Sequence, residues 1–404
     1  MAITSYPLPP IEANIGDYTS KGRLKVSNPE VIFFNTFQYG TETDVWESST
    51  SNGGAATFDA TISAVAMSVS STLDSECIRQ TVNVQRYIPG RSSELTFAVR
   101  LDTPVAGIRR RFGLFDGIDG IYFEDNGGDY ACVMINSDGT TPIIDRVTRA
   151  NWNGDQLGGA GSSGLTADPT KQQIICIDYE WYGSGQVVFS YIINGEKRVI
   201  HTFNTGNVLA VPWCKTPFLP IRLEIKNTTG ATGTHYMYQG SNSLVVEGTS
   251  LRIGTLQNML TPLAGITLTT ADTFYPALSI RLKSTHLKGV VLPLSFQAAT
   301  LDNTNVFYKV IRNTTLNGTW VDMPDANAFT QYNYTSTGAI SGGIVLDSGF
   351  LPSGASSTIL LPAVANYQLG RTALGTVSDT ITIAIAATNA NKSGVASLTW
   401  VEQR

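Results

Sequence analysis

The chain has 404 residues, of which 42% are hydrophobic and only 15% charged, with a net charge of −5. That length exceeds one comfortable hydrophobic core and predicts two or three domains. The acidic balance excludes the clustered Lys and Arg of a nucleic-acid surface, and no apolar run reaches membrane-spanning length. The expected partners therefore include neither nucleic acid nor a membrane interior. Low charge with abundant Ser, Thr, Asn and Gly suits exposed strand positions and turns.

The opening residues, Met1 to Pro10, lack a basic stretch followed by an apolar core, so no signal peptide is expected. Pro7, Pro9, Pro10 and Pro29, with Gly16 and Gly22, interrupt any regular element. Residues 1–32 are predicted to form an extended arm that needs a partner to lie against.

Residues 33–226 read as short strands separated by turns. Thr57 to Val69 places Phe58, Ala60, Ile62, Ala64 and Ala66 on one face, and Leu95, Phe97, Val99 and Leu101 alternate cleanly. Ile121–Glu124 and Tyr130–Asn136 flank Asp125-Asn126-Gly127-Gly128, a hairpin signal. Lys171–Trp181, Gln186–Ile193 and Val199–Phe203 follow, with turns at Gly183-Ser184-Gly185 and Asn194-Gly195. The basic run Arg109-Arg110-Arg111 is expected as a solvated strand end or an inter-subunit ion pair. Residues 227–250 are polar and rich in Gly, Thr and Ser, a predicted linker. Beyond it, Leu251–Leu263 is at most a short turn of helix. Ala277–Leu282, Val290–Phe296, Val306–Ile311, Thr380–Ala386 and Val395–Val401 read as strands. The fold class is all-β: an N-terminal arm, a β-sandwich of jelly-roll, concanavalin-like type over 33–226, the linker, and a second sandwich over 251–404.

Chemistry-bearing residues are few. Cys77, Cys132, Cys176 and Cys214 form no C-x-x-C pair, so buried free thiols are expected and neither zinc nor a dithiol motif is signalled. Alternation along Ile175–Trp181 puts Asp178 and Glu180 on one strand face at roughly 6–7 Å, within reach of the spacing a retaining glycosidase uses. Concanavalin-like glucanases carry a third acid two residues earlier, where this chain has Cys176. An exposed strand face with Tyr179 and Trp181 in the core is therefore the favoured reading, and no catalytic residue is assigned. Asp116-Gly117-Ile118-Asp119 through Glu124 has oxygen ligands but not the calcium-loop spacing, so a hairpin turn is favoured over a metal. No cofactor or metal is expected. The long glycine-rich loop 151–170 carries one aromatic anchor, and Trp152, Asn153 and Asp155 are the expected contact residues.

Several segments carry a resemblance. Gly22-Arg23-Leu24-Lys25-Val26-Ser27-Asn28-Pro29 resembles the G-R-L-[RK]-V-S-[NE]-P opening of a family of tailed-phage virion proteins, frequent in cyanophages. Tyr87–Ser92, Arg109–Glu124, Asn151–Gly161, Asp168–Lys171, Ile177–Val187 and Thr216–Ile225 match in order. Together these cover roughly residues 17–226 and leave the last 150-odd unmatched. Extra residues before Gly22, and Tyr182 where such proteins often have Leu, are departures that leave the match intact. The resemblance implies a non-enzymatic virion component, in an assembly, decoration, tail or fibre role. It would be assembled in the host cytoplasm, with other virion proteins and further copies of itself as partners. An adhesin that binds a host surface glycan is the alternative, and a glycan hydrolase through Asp178 and Glu180 the third reading.

Overall fold

Alternation with a period of two decides which side chains meet in this protein. In the strand Ser93–Arg100 the odd-numbered positions Leu95, Phe97 and Val99 are fully buried while their neighbours are partly exposed. The strand Gln173–Tyr179 pairs with it antiparallel, Ile175 opposite Phe97 and Ile177 opposite Leu95. The same side of the sheet is thus apolar on both strands.

The computed structural model describes residues 27–137, 142–248, 254–302, 304–353, 358–361 and 367–403. Every strand pair in it is antiparallel, and no α-helix occurs among the described residues. The first sandwich stacks two sheets. In the eight-stranded sheet the order is Glu196–Phe203, Val187–Ile193, Gln173–Tyr179, Ser93–Arg100, His235–Glu247, Ala64–Val69, Ala55–Asp59, with Pro29–Asn35 also on His235–Glu247. The seven-stranded sheet runs Pro142–Thr148, Asp129–Ser137, Gly120–Asn126, Ile108–Phe115, Ile221–Asn227, Glu76–Thr81, Trp46–Ser51. The chain crosses between the sheets repeatedly, in jelly-roll fashion. Their inner faces meet through Phe97 and Phe112, edge to face at 5.1 Å, and Phe112 reaches Phe123 at 5.3 Å.

A second sandwich has its own core, centred on Ile381, Ile383, Ile385, Leu398 and Trp400. One sheet has Thr255–Leu260, Lys392–Gln403, Val290–Thr300 and Ile359–Leu360 in order, with Ile266–Leu268 also on Lys392–Gln403. The other has Val321–Asp322, Thr330–Asn333, Tyr275–Leu282, Thr380–Ala387, Val306–Arg312 and Ile344–Leu351. The expected all-β, two-sandwich architecture is what the structure shows.

Several expectations shift. Residues 227–250 are not a linker: they contain His235–Glu247, a thirteen-residue strand that pairs with Ala64–Val69, Ser93–Arg100 and Pro29–Asn35. Its polar residues misled because Gln239 and Asn242 are buried yet hydrogen-bonded, Gln239 accepting from Arg79 Nε at 2.7 Å. The arm expected over 1–32 falls mostly outside the described residues. Its last part, from Pro29, is an edge strand of the first sandwich, so this sandwich spans at least 29–247. Thr57–Val69 is two strands, broken where Asp59 accepts from the Thr61 N–H and hydroxyl and Ser63 adopts φ 48°. Of Leu251–Leu263, the described part holds a strand, Thr255–Leu260, paired with Lys392–Gln403.

The predicted hairpins hold. Asn126 pairs with Asp129 around Gly127 and Gly128, both at positive φ, and the Gly128 N–H donates to Asp125 Oδ1 at 2.7 Å. All four cysteines are free and buried, and burial pushes the Cys176 thiol up to about 11 and the Cys77 thiol up to about 12.

Candidate functional site

The glycine-rich loop does not present Trp152. Its side chain is only 6% exposed, its ring lies 6.2 Å from Phe123, and its Nε1–H donates to Val147 O at 3.1 Å. A short 3-10 turn, Arg149–Asn151, precedes Trp152, and the indole joins the core of the first sandwich. The expected contact role is therefore corrected to a core role. Asp155, also buried, organises the rest of the loop. Its carboxylate accepts from Leu157 N–H at 2.8 Å, Ser163 N–H at 2.7 Å and Ser162 Oγ at 3.2 Å. Burial opposes ionisation there, but those hydrogen bonds outweigh it and hold the carboxyl below its usual range. Asn153 alone is exposed, and its amide spans to Thr202 through both its Nδ2–H and its Oδ1. All three residues thus serve the loop's own architecture.

Asp178 and Glu180 depart from the exposed face expected for them: both are buried. Lys197 Nζ bridges Asp178 Oδ2 at 2.6 Å and Glu94 Oε2 at 2.7 Å, so Asp178 is held as an ion-pair partner. Burial disfavours charge on Lys197, yet Asp178 and Glu94 outweigh it and push its ammonium well above the lysine range. Tyr179 is in the core as expected, whereas Trp181 is only partly buried.

The Arg109-Arg110-Arg111 run is not a solvated end: all three arginines are paired within the chain. Arg110 points between the sheets and pairs with buried Asp125 at 2.7 Å. Arg109 and Arg111 point to the outer face, where they meet Glu224 and Glu124, each at 2.7 Å, flanked by Arg146 and Arg222. Burial opposes charge on Glu224, but Arg222, Arg109 and Arg111 hold its carboxyl below the usual range. This is an intrachain ladder of alternating charge across four strands.

A concavity of about 1000 Å³ lies between the two sandwiches. The first sandwich contributes Tyr87, Trp181 and Phe218, and the second contributes His286, Phe329 and Leu374. Trp181 is held rigidly: its Nε1–H donates to Cys214 O at 2.9 Å and its backbone N–H to Tyr87 Oη at 2.9 Å. The His286 and Phe329 rings stack at 5.3 Å. On one wall Lys288 reaches Asp116 at 2.9 Å and Asp119 at 2.7 Å, and Arg371 reaches Asp116 at 3.4 Å. The Asp116–Asp119 turn between Ile108–Phe115 and Gly120–Asn126, considered above for a cation, thus latches the second sandwich. Among the described residues no group of three or more His, Cys, Asp or Glu side chains is placed to hold a metal ion. Val84, Val290 and Leu292 form a small apolar contact beside the latch, and Arg371 N–H donates to Val82 O at 3.0 Å.

Burial opposes ionisation of Asp116, but Lys288 and Arg371 outweigh it and keep the carboxyl below its usual range. A depressed folded-state value means the latch stabilises above the unfolded carboxylate range and is lost as pH falls through the lowered folded value. Asp116→Asn is expected to cost about 3 kcal/mol at neutral pH, with the deficit vanishing in strong acid. Calorimetry across pH checks this, and a pH-independent deficit would contradict the ion-pair account.

Asp116, Asp119 and Trp181 stand out in the sequence, but the cleft does not. Lys288, His286 and Arg371 stand more than 100 residues further along, and no local pattern ties them to the first sandwich. No family model and no curated protein matches the chain. Solved structures similar to it include the cellulose-induced protein Cip1, with 13% identity and a TM-score of 0.35, covering 55% of this chain and 99% of that one. A legume lectin-like domain from Entamoeba histolytica has 13% identity and a TM-score of 0.32, covering 54% and 98%. A glycoside hydrolase family protein from Mycobacterium thermorestibile has 12% identity and a TM-score of 0.37, covering 53% and 99%. Likeness at this level carries no functional assignment.

Proposed function

We propose that the chain is a non-catalytic structural subunit of a tailed-phage particle, built to be packed against other subunits. The observation that carries this reading is the apolar surface on two edge strands. On Pro29–Asn35, Val31 and Phe34 are exposed, Phe34 by 71%. On Ile344–Leu351, Ile344, Val345 and Phe350 are exposed, Phe350 by 66%, and Phe350 lies 6.3 Å from the ring of Phe307. Edge strands with open hydrogen-bonding groups are normally blunted by charge, proline or cover. Large apolar side chains beside such edges instead suit contact with a neighbour. The resemblance across residues 17–226 supports the particle, and the engaged state of Asp178, Glu124 and Glu224 supports a role without turnover.

The test combines two measurements on one double variant, Phe34→Asp with Phe350→Asp. The wild-type chain is expected in purified particles by mass spectrometry and as an oligomer by sedimentation. The double variant is expected to sediment as a monomer, keep its melting temperature, and fail to enter particles. A wild-type chain absent from particles, or a double variant that incorporates normally, would overturn the proposal.

A further inference from the structure

We propose that the cleft between the sandwiches is a binding site for a neutral oligosaccharide, with Trp181 as its stacking platform and Gln403 and Gln80 as hydroxyl acceptors. Volume is the first argument: about 1000 Å³ lies at the upper end of small-molecule sites and admits several linked sugar rings.

The second argument is the charge pattern. Lys288 and Arg371 are paired with Asp116 and Asp119. Glu402, the remaining lining acid, accepts from Thr330 Oγ1 and Phe329 N–H, each at 2.7 Å, and from Trp400 Nε1 at 3.3 Å. Neither Glu402 nor Lys215, which sits at the exposed margin, has an ion-pair partner among the described residues, but the two carry opposite formal charges, so the lining has no excess of either sign to select an ionic ligand.

The third argument is unused hydrogen-bonding capacity. Gln403 and Gln80 line the cleft and are more than nine-tenths buried, and the Oε1 of each has no hydrogen-bond partner among the described residues. A buried acceptor left unpaired is destabilising, so the two oxygens call for a partner. Both side chains line the cleft, and the terminal torsion of a glutamine is broad, so rotation about it can turn the oxygen toward a sugar hydroxyl. Trp181, already fixed by its bond to Cys214 O, offers a ring whose ordering is complete before a ligand arrives. Sugars combine apolar C–H faces with hydroxyls that donate and accept, which matches an aromatic wall beside amide oxygens. This inference is independent of the assembly reading, since the edge strands that carry that reading do not line the cleft.

The experiment titrates the full chain with neutral oligosaccharides of three to five residues built from glucose, galactose, mannose or N-acetylglucosamine. Calorimetry and tryptophan fluorescence are the readouts, with uronic-acid oligomers as a charged control. At least one neutral oligomer is expected to bind and the charged ones not. Gln403→Leu should weaken that binding about tenfold while leaving the melting temperature unchanged or raised, because it removes an unpaired buried oxygen. Leu374→Arg, an exposed change at the cleft mouth, should abolish it without unfolding the chain. No binding by any neutral oligomer would overturn the proposal, as would preference for the charged controls. Binding that survives both substitutions would overturn it too, by placing the sugar elsewhere. An outcome in which ordered water alone satisfies Gln403 and Gln80 and no heat is seen counts against it.

Discussion

Arg110→Met is expected to lower the stability of the first sandwich by about 3–5 kcal/mol, because it leaves a carboxylate buried without its counter-ion. Arg110 is 1% exposed and Asp125 fully buried, and their ion pair at 2.7 Å lies between the sheets. The guanidinium also donates from Nε to Tyr236 O at 2.9 Å and from the other amino group to Thr103 O at 3.1 Å. One residue therefore links the strand Ile108–Phe115 to both its neighbour in the same sheet and the opposite sheet. Burial already raises the Asp125 carboxyl above its usual range, Arg110 opposing the rise. With methionine in place that rise grows, and the folded state gains stability as pH falls through the raised value toward the unfolded one. The deficit should thus be largest at neutral pH and shrink in acid. Urea unfolding at several pH values measures it; a loss under about 1 kcal/mol at pH 7 would mean the pair behaves as a surface salt bridge.

Trp152→Ala should cost a similar amount, about 3–5 kcal/mol, as expected for removing a buried indole from a core that closes only partly around the gap. The ring contacts the core at Phe123, and Tyr130, Leu157 and Tyr191 line the small space beside it. The lost donor leaves Val147 O without the indole bond as well. The effect should appear in the melting temperature and denaturation midpoint of the first sandwich. Unchanged stability with weakened assembly or adhesion would restore a contact role for Trp152. Trp152→Phe should recover part of the loss, since it keeps an aromatic ring but not the Nε1 donor.

Both effects rest on where side chains end up, and there the amino-acid sequence was a partial guide. Local chemistry was legible. Asn126-Gly127-Gly128-Asp129 and Asn194-Gly195 demand tight hairpins, because those backbones need positive φ. Leu95, Phe97 and Val99, like Ile381, Ile383 and Ile385, announce strands with one core face by their spacing alone. The all-β class and the division into two sandwiches follow from such signals repeated along the chain.

What depended on distant partners was not legible. A glycine-rich loop with one tryptophan reads as a contact element until the loop folds back and the indole packs into the core beside Phe123. The run Arg109-Arg110-Arg111 reads as surface charge until Asp125, Glu124 and Glu224 arrive from other strands to match it. His235–Glu247 reads as a linker because its polar residues are satisfied only by Arg79 and neighbouring strands. The cleft, with Trp181 on one wall and Phe329 on the other, is formed by two sandwiches that contacts such as Asp116–Lys288 hold together. Periodicity and turn chemistry act over a few residues and are written locally. Burial of polar and charged groups is decided by partners on other strands, from 15 residues away for Arg110 and Asp125 to 160 for Arg79 and Gln239, and only the tertiary structure brings them together.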